Sequence, residues 1–134
     1  MAAPLEAPAR ALIEGKNFAH VSVLRKDGTI HNVVVWVLLD GTGNVLMNSA
    51  EGRDWPAHLR RAGGATISIH NQENPYEFVS ITGTLAEDRH EGADADIDAL
   101  AKKYLGVDSY PYRSDGEQRV TFTLAPMRVA YHGR

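Results

Sequence analysis

A mainly β chain with some α content, folded as one six-stranded barrel, closed or split, with short helices at its flanks, is the architecture the sequence predicts. Three observations carry that expectation. Runs of alternating apolar and polar residues recur along most of the chain, whereas helical spacing appears in only three short stretches. Turn signals, Asp27-Gly28 and Asp40-Gly41-Thr42-Gly43, fall between extended runs, as hairpins require. Finally, six strands are too many for one flat sheet in 134 residues, so the sheet should curl on itself.

Composition supports one domain, residues 1–134, with an ordinary soluble core. Apolar residues make up 43% and charged residues 23% of the chain, and the net charge is -3. There is no cysteine, which excludes disulfides, thiolate metal sites and cysteine nucleophiles and favours a cytoplasmic location. Mild acidity without a basic stripe argues against nucleic acid as partner. The longest apolar run, 33–39, falls far short of the roughly 20 residues of a membrane span. The first ten residues lack the charged and apolar regions of a signal peptide.

Taken in order, Leu5, Ala9, Leu12 and Ile13 recur at helical spacing and Gly15 makes a stop. Residues 18–25 alternate and lead through the Asp27-Gly28 turn into 30–40. That second arm is almost continuously apolar, so it is expected as a central strand buried on both faces, with Trp36 in its core. The Asp40–Gly43 turn brings the chain back as a third strand beginning at Val45, making a meander. Gly63-Gly64 ends the next helix, and residues 65–70 resume the alternation. A loop at 71–75 precedes a strand over 76–85, kinked at Gly83, where a side chain would crowd a barrel corner. Ile97, Leu100, Ala101 and Tyr104 mark a helix from about Asp94, capped by Gly106. Residues 107–116 are irregular, and 119–131 form a closing strand in which Pro126 marks a bulge or an edge.

The stretch 44–62 is where chemistry concentrates. A strand (45–47) runs through a polar turn (48–52) into a helix beginning at Arg53 or Asp54, with Asp54 a candidate N-cap and Pro56 in the first turn. Such a junction gathers unpaired N–H groups and the positive end of a helix dipole, which suits an anion. Between Arg53 and Arg61 there are three arginines against one aspartate. Either these arginines solvate one face of a surface helix, or they hold a phosphate-bearing ligand, with Arg53 at the mouth of the junction. The six histidines show no metal-ligand spacing; His58 is notable only for lying one turn from Trp55. Tyr110, Tyr112 and Arg113 sit on the irregular segment, as stiffeners of a packed loop or as residues that close a binding groove.

Several of these features fall in an order that resembles a known family. They are the Asp27-Gly28 hairpin, Asn32 leading into the strand with Trp36, Gly52-Arg53-x-Trp55, Leu59-Arg60-Arg61, the strand from Tyr76 to Gly83, Tyr104-Leu105-Gly106, Tyr110-Pro111-Tyr112-Arg113 and Arg119-Val120. Together they resemble the split β-barrel proteins related to pyridoxamine 5'-phosphate oxidase, and most of all the branch that uses the deazaflavin coenzyme F420. The resemblance implies an FMN-binding-type split barrel, a homodimer, and a cofactor groove between subunits. It places cofactor-phosphate contacts at Asn48, Ser49, Ala50, Arg53 and Trp55, and a ring wall at Trp36. Asn32, His58, Arg60, Tyr76, Tyr112 and Arg113 complete the implied cofactor-binding set. The chain departs from a common pattern by carrying Trp55 and His58 where several relatives carry Lys and Asn.

A flavin or deazaflavin performs the redox step itself, which agrees with the absence of any hydrolase triad or metalloprotease motif. The implied activity is hydride transfer between F420 and an unsaturated or quinone-like small molecule. FMN is the alternative cofactor, and a non-catalytic carrier of a flavin or haem is the alternative class. The sequence names no catalytic residue.

Overall fold

A computed structural model describes residues 3–133; the first two residues and Arg134 lie outside it. The chain runs α1 (Ala7–Glu14), β1 (Ala19–Leu24), β2 (Ile30–Val35), β3 (Leu38–Leu39), β4 (Val45–Ala50), α2 (Asp54–Ala62), β5 (Gly64–Asn71), β6 (Asn74–Arg89), α3 (Ala93–Leu105) and β7 (Arg119–His132). There are thus seven strands rather than six. They form one antiparallel sheet in the order β2-β1-β5-β6-β7-β4-β3.

The difference from expectation lies in the apolar run 30–40, which is not a central strand. It supplies both edges of the sheet, β2 at one end and β3 at the other, separated only by Trp36 and Val37. Two residues can link opposite edges only if the sheet curls until those edges meet, so the fold is a barrel split along one seam. At the crossing the backbone leaves the ladder, and α3 satisfies it instead. The Val37 N–H donates to the Tyr104 hydroxyl (3.2 Å), while the Val37 carbonyl accepts from Lys103 Nζ (2.7 Å). The expected meander therefore resolves into two separate hairpins, β1-β2 and β3-β4, with no ladder between β2 and β4.

Other elements follow local chemistry. The β1-β2 turn is set by Asp27, whose carboxylate accepts from both the N–H and the hydroxyl of Thr29. α1 ends at Gly15 without a left-handed residue (φ -71°), its exit tied by Asn17 Nδ2 donating to the Leu12 carbonyl. α2 has Arg53, not Asp54, as its N-cap, with Asp54 as the first helical residue, and it ends at left-handed Gly63. The loop expected at 71–75 shrinks to a tight turn between β5 and β6. The corner at Gly83 is real: the β6-β7 register shifts there, passing from Thr82↔Arg128 to Gly83↔Pro126. A Cβ on Gly83 would lie 2.9 Å from the Ala125 carbonyl oxygen, and one on Gly64 of the neighbouring β5 would lie 2.5 Å from the Gly83 oxygen. Pro126 thus marks a bulge on an interior strand rather than an edge.

The main core fills the barrel with Phe122, Met47, Ile67, Ile69, Ile81 and their neighbours, closed by Leu12 and Ile13 of α1 and by Trp55 and Leu59 of α2. A second cluster lies outside β4, where Ile97, Leu100 and Tyr104 of α3 pack on Leu46 against Trp36 and Tyr110. Among the described residues no helix is long and apolar enough to cross a membrane.

Candidate functional site

The seam of the barrel opens into a cleft of about 250 Å³. One wall is the edge strand β2 with the crossing residue Trp36; the other is Asn48 of β4 with Ile97 and Leu100 of α3. Arg53 and Trp55 enter from α2, Tyr110 and Tyr112 from the irregular segment, and Arg119 from the start of β7. Every major element around the seam contributes, because the cleft is the place where the sheet fails to close.

The aromatic wall is built from stacked rings. Trp36 lies parallel to Tyr104 (centroids 5.3 Å apart, planes 6° apart), and Tyr110 meets Trp36 edge-on at 6.1 Å. Tyr112 continues the row, 5.7 Å from Tyr110, and is largely exposed. Tyr104 is itself fixed, its hydroxyl donating to the Asn17 carbonyl at 2.5 Å. Burial pushes the Tyr104 phenol up from its ordinary pKa, so it stays neutral in this wall.

The polar end rests on Arg119. Its Nε donates to Asn48 Oδ1 (2.9 Å), its Nη1 donates to Glu117 Oε1 (2.5 Å), and its guanidinium lies 5.1 Å from the centre of the Tyr110 ring. Asn48 is in turn held by donating to the Ala93 carbonyl (2.9 Å) and to Thr121 Oγ1 (3.1 Å). The side chains of Arg119 and Glu117 are 3% and 9% exposed, so this is a buried ion pair that opens on the cleft. The Arg119 hydrogen bond holds the Glu117 carboxyl below its ordinary value, and the charge of Arg53 adds to that effect. Two guanidiniums thus stand at one end of an apolar slot. Of the first α2 residues, only Asp54 and Trp55 bring N–H donors, since Pro56 has none.

Of the residues singled out from the sequence, Trp36, Asn48, Arg53, Trp55, Tyr110 and Tyr112 line this cleft. The others lie apart from it. Ser49 alternates away from Asn48 onto the barrel side of β4, opposite Val120, and its buried hydroxyl has no hydrogen-bond partner among the described residues. Ala50 is buried at the end of the same strand. Asn32 donates to Ser22 Oγ and to the Val21 carbonyl, His58 packs on His31 (5.3 Å), and Tyr76 is 73% exposed on the β5-β6 hairpin. Arg113 is paired with Asp94 and Asp98.

Arg60 is clamped between Glu51 and Asp88, at 2.7 Å from each, and Arg61 donates to the Leu24 carbonyl. With two carboxylates already on it, Arg60 offers little charge to a further anion. Glu51 is pulled down to about 2, chiefly by the Arg60 hydrogen bonds and then by His90. Sequence reasoning passed over Arg119. The signal was an arginine opening an apolar strand with Glu117 two residues earlier, a spacing that puts both on one face.

The orphan hydroxyl gives a direct test. Ser49→Ala removes a buried group whose desolvation nothing repays, so the variant should unfold at higher denaturant with an unchanged slope, a gain of about 1 kcal/mol. A loss of stability would mean that Ser49 bonds to something within the barrel.

No family model and no curated protein sequence matches this chain. Solved structures do. An F420 reductase superposes with a TM-score of 0.82 at 21% identity, over 96% of this chain and 98% of its own. A proposed pyridoxamine 5'-phosphate oxidase from Listeria innocua gives 0.68 at 16% identity, over 90% and 92%. A heme binding protein from Mycobacterium smegmatis also gives 0.68 at 16%, over 98% of this chain and 56% of that one. At these identities the likeness is one of fold: a split β-barrel of the pyridoxamine phosphate oxidase type.

Proposed function

We propose that the seam cleft binds the flat ring of a flavin or deazaflavin and that the protein is an oxidoreductase acting on an unsaturated or quinone-like small molecule. The observation that carries this reading is the pairing of an aromatic-walled slot with two guanidiniums, Arg53 and Arg119, at one end. A planar heterocycle wants the first and an anionic tail wants the second. When bound, such a cofactor supplies the hydride chemistry. The chain's own residues bind and orient: Trp36 and Tyr110 wall the ring, Asn48 and Glu117 aim Arg119, and Trp55 shields the tail end. The accompanying proton comes from the Tyr112 phenol or from solvent, both at the cleft mouth.

F420 is the first cofactor to test, because the neighbour superposing at 0.82 is an F420 reductase; FMN is the second. Arg60 and Arg61 add no support for the longer F420 tail, since both are engaged within the chain. At about 250 Å³ the cleft of one chain falls below the roughly 300–1,000 Å³ typical of small-molecule sites. The edge strand beside it carries exposed Ile30 and Val34. A second copy covering that edge would complete the groove, so the protein is expected to sediment as a homodimer.

Titrating the purified protein with F420, FMN and haem, each followed by ring fluorescence or absorbance, tests the reading. Saturable binding of F420 or FMN that weakens when Trp36 is replaced by Ala supports it. Binding of haem alone would favour a carrier instead.

A further inference from the structure

Two cations line the cleft, Arg53 and Arg119, and no carboxylate does. One carboxylate stands directly behind them. Glu117 Oε1 accepts from Arg119 Nη1 at 2.5 Å, and both side chains are almost fully buried. Glu117 is pinned there, because its Oε2 accepts from the Ser114 N–H (3.2 Å) while its own N–H donates to the Ser114 carbonyl (3.1 Å), in a turn that contains left-handed Gly116.

The three nitrogens of Arg119 are therefore differently employed. Nε holds Asn48, Nη1 holds Glu117, and Nη2 makes no hydrogen bond among the described residues. Nor is Nη2 walled in, since the one fully buried side-chain polar atom without a partner among those residues is the Ser49 hydroxyl. Nη2 is thus the donor left for a ligand.

The charges around that donor can be counted. Arg53 has no ion-pair partner among the described residues, and its charge reaches the Glu117 carboxyl as well. Nearby carboxylates are engaged elsewhere: Glu51 pairs with Arg60, Asp96 with Arg89 and Asp98 with Arg113. Asp54, beside Arg53, is exposed, so solvent screens it. Two guanidiniums and one buried carboxylate leave the anion end of the cleft with one net positive charge. A phosphomonoester brings about 1.5 to 2 negative charges at pH 7, whereas a phosphodiester has no second ionisable oxygen and brings one.

We infer that Glu117 sets the charge of the ligand's anchoring group at one negative unit, so that the cleft takes a singly charged ester or carboxylate ahead of a phosphomonoester dianion. The inference rests on the flavin-or-deazaflavin reading and deepens it by naming the class of tail. Glu117 touches no ligand and acts through Arg119. A second negative charge on the ligand would face the Glu117 carboxylate across a single guanidinium, with no further cation to offset it.

The test uses three ligands that differ only at the tail: riboflavin, uncharged; the monomethyl ester of FMN, singly charged; and FMN, close to doubly charged. The same set is made on the 5-deazaflavin ring, and dissociation constants are measured at 0.15 M salt and pH 7.5. On the wild-type protein the methyl ester should bind about fivefold more tightly than FMN, although its methyl group adds bulk. Glu117→Gln keeps an oxygen for Arg119 Nη1 and removes the charge. It should reverse the order, strengthening FMN roughly tenfold or more and leaving riboflavin within about twofold. A merely structural role for Glu117 would weaken all three ligands together.

A second measurement needs no variant, so misfolding of Glu117→Gln leaves the outcome decisive. Lowering the pH to 5.5 adds a proton to the FMN phosphate, whose second pKa is about 6. Glu117 stays ionised there, held below its ordinary 4.5 by the Arg119 hydrogen bond. FMN should then approach the methyl ester in affinity, with the ester as the control for the protein's own titrating groups, His31 and His58 included. FMN binding the wild type at pH 7.5 as tightly as its methyl ester, or more tightly, would overturn the inference and leave the flavin reading standing. No binding of any ligand of either set would overturn both.

Discussion

Arg119→Leu is expected to destabilise the protein by about 3–5 kcal/mol, the cost of leaving one member of a buried ion pair without the other. For a domain of this size that is a fall of about 10 °C or more in melting temperature. The reason lies in what Leu would strand: the Glu117 carboxylate, 9% exposed, and the Asn48 carbonyl oxygen that now accepts from Arg119 Nε. Glu117→Leu added to Arg119→Leu removes the stranded charge and should recover most of the loss, because two apolar groups of similar volume often replace a buried pair without penalty.

The pair also predicts a pH signature. Glu117 titrates below its ordinary value of 4.5 when folded, chiefly because Arg119 donates to it. A carboxyl whose pKa falls on folding contributes stability at pH above its unfolded value, and that contribution is lost as pH falls through the lowered folded value. Acid unfolding below about pH 4.5 should therefore be steeper in the parent than in the double variant. If Arg119→Leu melts within 2 °C or so of the parent, the pair is solvated and the site is softer than its burial implies.

The second large effect falls on binding. Arg53→Ala should weaken the cofactor by about 1.5–3 kcal/mol, roughly 10- to 100-fold in dissociation constant, the range for a charge-assisted hydrogen bond. Arg53 is exposed, so part of its attraction is screened, and the parent's affinity should fall as salt rises while the variant's falls less. Fold stability should barely move, because no hydrogen bond from the Arg53 side chain holds the helix start. Unchanged affinity in Arg53→Ala would put the anion site on Arg119 alone or outside the cleft.

Much of the barrel could be read from residue order. The Asp27-Gly28 hairpin, the stop at Gly63, the corner at Gly83 and the buried face Ile97, Leu100, Ala101 and Tyr104 all reflect local chemistry that acts wherever the chain goes. The run 30–40 misled because periodicity reports how many faces of a segment are apolar, not which neighbours it has. Val33 and Val35 meet the core, Trp36 meets α3, and Val37 is buried by the crossing, so one apolar run serves three environments. The site was legible in part for the same reason. Arg53, Trp55 and Asn48 stand near a recognisable strand-turn-helix junction, whereas Arg119 reaches the cleft only through the pairing of β7 with β4. Arg60 looked available because its partner Asp88 is 28 residues away in sequence.

The place of β7 in the sheet bears on how the molecule is made. Among the described residues it comes last in order, yet it lies between β6 and β4 and is the only element whose pairings join β2-β1-β5-β6 to β4-β3. During synthesis the two portions cannot unite until residues 119–132 leave the ribosome. Until then β6 and β4 each carry an open edge, the feature that invites wrong pairing between chains. Joining the two portions requires a strand inserted between two partners, an event dominated by contacts distant in sequence and therefore slow. A chain interrupted before β7 would have two unsealed sheets, and its fate would be set by chaperones and proteases rather than by the barrel it never closed.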